Sequence, residues 1–192
     1  MNRTIPRFLD RSTPPHLATL ILISGVSALS MNVFLPSLPN MAAYFDADYR
    51  VLQLSVSVYL GFSAVLQLVI GPLSDRFGRR NILLASLVIF LIASIGTLVA
   101  PNATVFLIFR MLQAAVATGM ALSRAIVRDM VDEDRAASMI GYVTLGMSIV
   151  PMLGPIIGGA LDEVFGWKAS FVLLTLLGAL VLALVWQDLG ET

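Results

Sequence analysis

Charged side chains punctuate this chain only at long intervals, and the stretches between them are neutral and apolar. The neutral windows are Leu17 to Phe45, Val51 to Ser74, Asn81 to Phe109, Ala136 to Leu161 and Ala169 to Gln187. A helix needs roughly 20 residues to cross a hydrocarbon core of about 30 Å, and each window is of that order or longer. Pro101 and Asn102 interrupt the third window, so a fourth helix starts near Ala103 and runs through Arg110 to about Val127. The pattern predicts an all-α integral membrane protein with a tail at 1–16 and six spans at about 17–39, 52–73, 81–100, 103–127, 137–160 and 168–187.

Composition agrees with that pattern. Of 192 residues, 58% are hydrophobic and 12% charged, and mean hydropathy is +0.90; soluble domains carry about 25% charge. Twelve Lys and Arg balance twelve Asp and Glu, which leaves no basic footprint for a nucleic acid. Without cysteine and with one histidine, His16, the chain offers no disulfide, thiolate or His cluster. No nucleophile and base pair up within the apolar windows, so an intramembrane enzyme is not expected. No metal site and no cofactor are expected either. The first window exceeds a signal-peptide core, and Pro36 and Pro39 stand where a cleavage site would be, so it reads as a retained helix.

Orientation follows the positive residues. Arg3, Arg7, Arg11, Arg76, Arg79, Arg80, Arg124, Arg128 and Arg135 fall on one side, nine in all, against Arg50 and Lys168 on the other. Both termini are therefore expected in the cytoplasm. An offset of 88 residues lays Gly71 to Arg80 over Gly159 to Lys168 with four identities in ten positions. Each copy joins the second and third helices of a three-helix unit, on opposite membrane faces, as two inverted repeats require.

Gly71-Pro72-Leu73-Ser74-Asp75-Arg76-Phe77-Gly78-Arg79-Arg80 is similar to the signature loop between helices 2 and 3 of the major facilitator superfamily, G-x-L-[AS]-D-[RK]-x-G-[RK]-[RK]. Physically, the glycines permit a tight turn, and the acid and arginines can bind charged partners or helix ends. The resemblance implies a conformational latch built on Gly71, Asp75, Arg76, Gly78, Arg79 and Arg80, with Asp129 as the acid from the end of helix 4.

Three further motifs carry the same resemblance. Gly146, Pro151, Gly154, Pro155, Gly158 and Gly159 resemble the helix 5 antiporter signature G-x7-G-P-x-x-G-G of proton-coupled drug exporters. Small residues there let another helix approach closely, and prolines bend the segment. Arg110 to Gln113 resembles the R-x-x-Q motif of helix 4. An arginine roughly 10 Å deep costs a few kcal/mol unless it faces a polar cavity, which makes Arg110 a site candidate. Met31 to Pro39 resembles helix 1 of the bicyclomycin and chloramphenicol resistance exporters, with Asn32 where their consensus commonly has aspartate. Asn32 and Arg110 lie at similar depth and are expected to meet in a central cavity together with Gln113. Tyr59 and Gln67 are expected to make interhelical hydrogen bonds.

The resemblance covers the whole chain but only the first half of the twelve-helix family fold. Residues 188–192 look like the start of the inter-domain linker. The implied protein is a multidrug exporter of small amphipathic compounds, in a bacterial inner membrane, driven by a proton gradient through alternating access. Its expected partners are the lipid bilayer, a drug-like substrate, and a second six-helix half supplied by a longer product or a separate protein. The alternative is a six-helix interaction subunit that does not transport and docks through its glycine face. With six helices alone, that glycine face and the Asp75 loop are expected to lack their usual partners.

Overall fold

The computed structural model describes residue 9 and residues 16–130 and 133–190, and the side chains of these except at 130 and 133–135. Regular structure among them is entirely helical. The first span is α1 (Leu17–Asn32) and α2 (Leu38–Tyr44), joined through a 3-10 turn at Leu35–Ser37. α3 (Tyr49–Phe77) and α4 (Arg79–Leu98) are the second and third spans. α5 (Ala103–Gln113) and α6 (Thr118–Met130), joined by a 3-10 segment at Ala114–Ala117, make the fourth. α7 (Glu133–Phe165) and α8 (Lys168–Asp188) are the fifth and sixth. Six helical runs are long and apolar enough to cross a membrane, where an unpaired backbone would be too costly for other open structures.

Local chemistry fixes the starts. Asp48 accepts the Arg50 N–H at 2.8 Å ahead of α3, and Asn102 accepts the Val105 N–H at 2.9 Å ahead of α5. Both caps satisfy a donor that the first helical turn leaves open. The break at Pro101 and Asn102 thus falls where the sequence places it.

Two spans expected to be continuous are broken. In the first, the last α-type bond runs from the Val33 N–H to the Leu29 carbonyl at 3.0 Å. Pro36 and Pro39 cannot donate the next bonds, and the chain restarts with a proline in the first turn of each new helix, where the missing N–H costs nothing. This carries the helical run to Tyr44, past the expected end at residue 39. In the fourth, Ala114, Ala115, Val116 and Ala117 are all buried and wound into the tighter 3-10 form. α3 and α7 extend past their expected limits at both ends, because polar residues beyond the apolar stretch continue the helix.

The first span lies at the centre and packs along α7, α8 and α6, while α4 packs on α8 and α5. The first and fourth spans are mostly buried; the second and fifth leave most of their surface uncovered. Gly78 and Gly166, aligned by the 88-residue offset, have φ of 86° and 80°. Only glycine enters that region without strain, so each repeat turns from its second into its third span on the same device. Successive spans alternate in direction, which places the two turns at opposite ends of the bundle.

Candidate functional site

At the arginine-rich end, Gly78 reverses the chain so that Arg79 opens α4 beside the end of α6. Arg79 Nε donates to Asp129 Oδ2 at 2.7 Å, and its Nη2 lies 3.5 Å from Asp75 Oδ1 one turn earlier in sequence. Asp75, Arg79 and Asp129 are thus brought together, with the guanidinium largely buried and both acids more open. The neighbouring arginines act elsewhere. Arg76 packs over the Phe77 ring at 5.3 Å. Arg80 donates to the carbonyls of Leu189 at 2.7 Å and Trp186 at 3.3 Å, closing the end of α8. A β-carbon at Gly71 would meet nothing within 4 Å; the loop therefore finds partners inside these six helices, but Gly71 itself faces open space.

Deep in the bundle, Arg110 is fully buried. Its Nη1 donates to Gln113 Oε1 at 2.6 Å, the pairing that a spacing of three on a helix allows. Gln113 in turn donates from Nε2 to Ser94 Oγ at 2.8 Å on α4. Arg110 Nη2 donates to the Ser30 carbonyl at 3.3 Å, one of the last carbonyls of α1, left without an intrahelical partner by the break. The guanidinium sits 4.2 Å from the ring centre of Phe34, 4.6 Å from Tyr59 and 6.0 Å from Phe171.

No carboxylate pairs with Arg110 among the described residues. Its charge is balanced instead by the negative end of the α1 dipole and by three aromatic faces, each a favourable partner for a desolvated cation. Arg110 Nε finds no hydrogen-bond partner among the described residues. Asn32 does not join this group: it is half-buried on another side of α1, with its β-carbon facing Gly154 of α7. The expected meeting of Asn32 and Arg110 is not seen: two residues after Ser30 on the same helix, Asn32 falls on the α7 side of α1, and the polar atom turned to Arg110 is the Ser30 carbonyl.

Residues 20–191 match the sequence model of the Major Facilitator Superfamily. The chain belongs to this superfamily. It is 36% identical over 181 residues to the chloramphenicol resistance protein of Pseudomonas aeruginosa, covering 91% of this chain and 43% of that protein. Multidrug resistance protein MdtM of Escherichia coli K12 is 32% identical, with 91% of this chain and 43% of the relative covered. The chain therefore spans less than half the length of these relatives. A solved peptide transporter POT superposes with a TM-score of 0.79 at 16% identity, over 91% of this chain and 39% of the transporter. A bacterial homologue of the lysosomal transporter Spinster, solved inward-facing and unoccupied, superposes at 0.76 with 19% identity, over 92% of this chain and 44% of its own. Superfamily relatives are transporters rather than enzymes, and this chain is a multi-pass membrane protein of their fold.

The superfamily's helix 5 glycines have a partner that the sequence did not reveal. A β-carbon at Gly146 would meet Ile21 at 2.9 Å, at Gly154 Leu29 at 3.3 Å, and at Gly159 Pro36 at 3.7 Å. At Gly158 it would run into the Val33 carbonyl oxygen. The glycine face is packed against α1 and its break, which corrects the expectation that it waits for another protein. Pro151 and Pro155 lie within α7 beside it. Gln67 is exposed, while Tyr59 lies under Arg110 with the Ser30 side chain of the first span beside its hydroxyl.

Phe34, Phe171 and the Ser30 carbonyl were missed in the sequence, where nothing marks them. Asp188 was missed differently. Expected in a linker, it is the last residue of α8 and fully buried. The rest of the expected linker at 191–192, and the tail apart from residues 9 and 16, lie outside the described residues.

Proposed function

We propose that this chain is the N-terminal half of a multidrug efflux transporter that exports small amphipathic compounds by proton antiport, rocking against a second six-helix half. The observation that carries the reading is the assembled latch: Arg79 binds Asp129 at 2.7 Å while leaving Asp75 largely open, so the acid remains available to a helix end of the other half. Uncovered surfaces on the second and fifth spans support it, as does relatedness to proteins of chloramphenicol and multidrug resistance. The nine-to-two excess of arginine and lysine supports a cytoplasmic position for both termini, and relatedness to bacterial resistance proteins supports a bacterial inner membrane.

None of the apolar windows holds an Asp or Glu, and Asn32 takes the position of the consensus aspartate. The proton-carrying carboxylate of this reading therefore lies outside these apolar windows. The reading as an interaction subunit loses its docking surface, since α1 already occupies the glycine face. The test is drug efflux from vesicles holding this chain joined to a six-helix second half, with and without an imposed pH gradient. Efflux that collapses with the gradient supports the reading; efflux indifferent to it rules out proton antiport.

A further inference from the structure

Neither the latch nor the Arg110 cluster uses the carboxylate at the end of α8. Asp188 Oδ2 accepts from Thr19 Oγ1 at 2.6 Å and from the His16 N–H at 3.0 Å, and Oδ1 accepts the Leu9 N–H at 2.8 Å. Every one of these donors belongs to the start of the first span or the segment before it. His16 is the cap of α1, its Nδ1 accepting the Ala18 N–H at 3.2 Å. Asp188 therefore places a negative charge at the positive end of the α1 dipole. Arg80 does the converse on the same helix as Asp188, holding the carbonyls that close α8 and stacking on Trp186 at 5.4 Å.

We propose that Asp188 is a positioning residue, which fastens the start of the first span to the end of the sixth. Its partner Thr19 and the Ser30 carbonyl held by Arg110 lie on one unbroken helix. They stand about 16 Å apart along it. The stretch between them is clamped at both ends, and a helix so short is stiff. Releasing Thr19 shifts the Ser30 carbonyl, so the end of α8 sets the geometry around Arg110 through α1. The bend in the first span is thereby confined to Val33 and Phe34. This holds whether or not the whole protein exports drugs.

The chain has no cysteine, so a single introduced thiol reports alone. In the 192-residue chain in nanodiscs, maleimide labelling of Ala18→Cys is expected to be about tenfold faster with Asp188→Asn, the scale of losing a charge-assisted bond. Thr19→Val should raise it less, and both changes together should be no faster than Asp188→Asn alone. Labelling of Met31→Cys should rise with Asp188→Asn and stay unchanged with Arg79→Gln, which opens only the latch. Equal rates at Ala18→Cys in every variant would overturn the proposal, as would a rise there with none at Met31→Cys. Should a thiol at buried Ala93 also become reactive, Asp188→Asn has loosened the whole bundle. Thr19→Val then decides, an unchanged rate at Ala18→Cys sinking the idea and a raised rate upholding it.

Discussion

The α-carbon of Gly158 lies against the carbonyl oxygen of Val33, with no space for a β-carbon between them. That oxygen belongs to the first residue past the end of α1, where the proline-rich stretch begins. The helix 5 glycine motif thus receives the irregular backbone of the first span, which is tolerable at membrane depth only when buried in protein. A weak Cα–H···O contact is available there, but the main term is steric.

Gly158→Ala should therefore destabilise the chain by about 1 to 3 kcal/mol, the usual cost of overpacking. A β-carbon at Gly141 on the same helix would meet nothing within 4 Å. Gly141→Ala is expected to be neutral or to stabilise by up to about 1 kcal/mol through helix propensity. Thermal unfolding in detergent compares the two, and equal midpoints would show that the Val33 backbone can move aside.

Asp75→Asn should leave stability within about 0.5 kcal/mol, since an exposed ion pair is worth little. In the joined twelve-helix form it should nevertheless impair turnover while membrane insertion stays normal. Asp129→Asn, which loses the 2.7 Å contact to Arg79, should cost more stability than Asp75→Asn. Proteoliposome transport and unfolding midpoints separate these effects; normal transport by Asp75→Asn would reduce the loop to a topological anchor.

Arg110→Lys should fail to replace the parent. A lysine cannot at once reach the Ser30 carbonyl, bond Gln113 and lie flat between Phe34 and Tyr59. A loss of about 2 kcal/mol or more in stability is expected, on the scale of hydrogen bonds to a buried charge. Arg110→Ala should abolish transport in the joined form. Asn32→Asp acts separately, because Asn32 faces Gly154; it should add proton sensitivity to efflux. Parent-like efflux by Arg110→Ala would remove Arg110 from the site, and a parent-like pH dependence of Asn32→Asp would show that residue 32 only packs against α7.

Reporter fusions after Thr192 and within Arg76 to Arg80 should read cytoplasmic, and one near Ala47 should read external. An external C-terminus would contradict the six-span count.

Sequence by itself determined whatever rests on near neighbours. The six spans follow from the length of the apolar windows, and the break before Ala103 from Pro101 and Asn102. The turn at Gly78, repeated at Gly166, and the pairing of Arg110 with Gln113 follow from spacing along one segment. Tertiary structure decided which side of each helix looks inward. Lipid and protein interior are equally apolar, so the hydrophobic pattern of a span does not mark its buried face. For that reason the ring faces of Phe34, Tyr59 and Phe171, from three different spans, gave no sign that they would enclose Arg110. Asn32 read as its partner on depth alone, but its angular place around α1 sets it against Gly154. Asp188 read as the start of a linker because it ends an apolar run; only the approach of Thr19, 169 positions away in the chain, makes it an anchor.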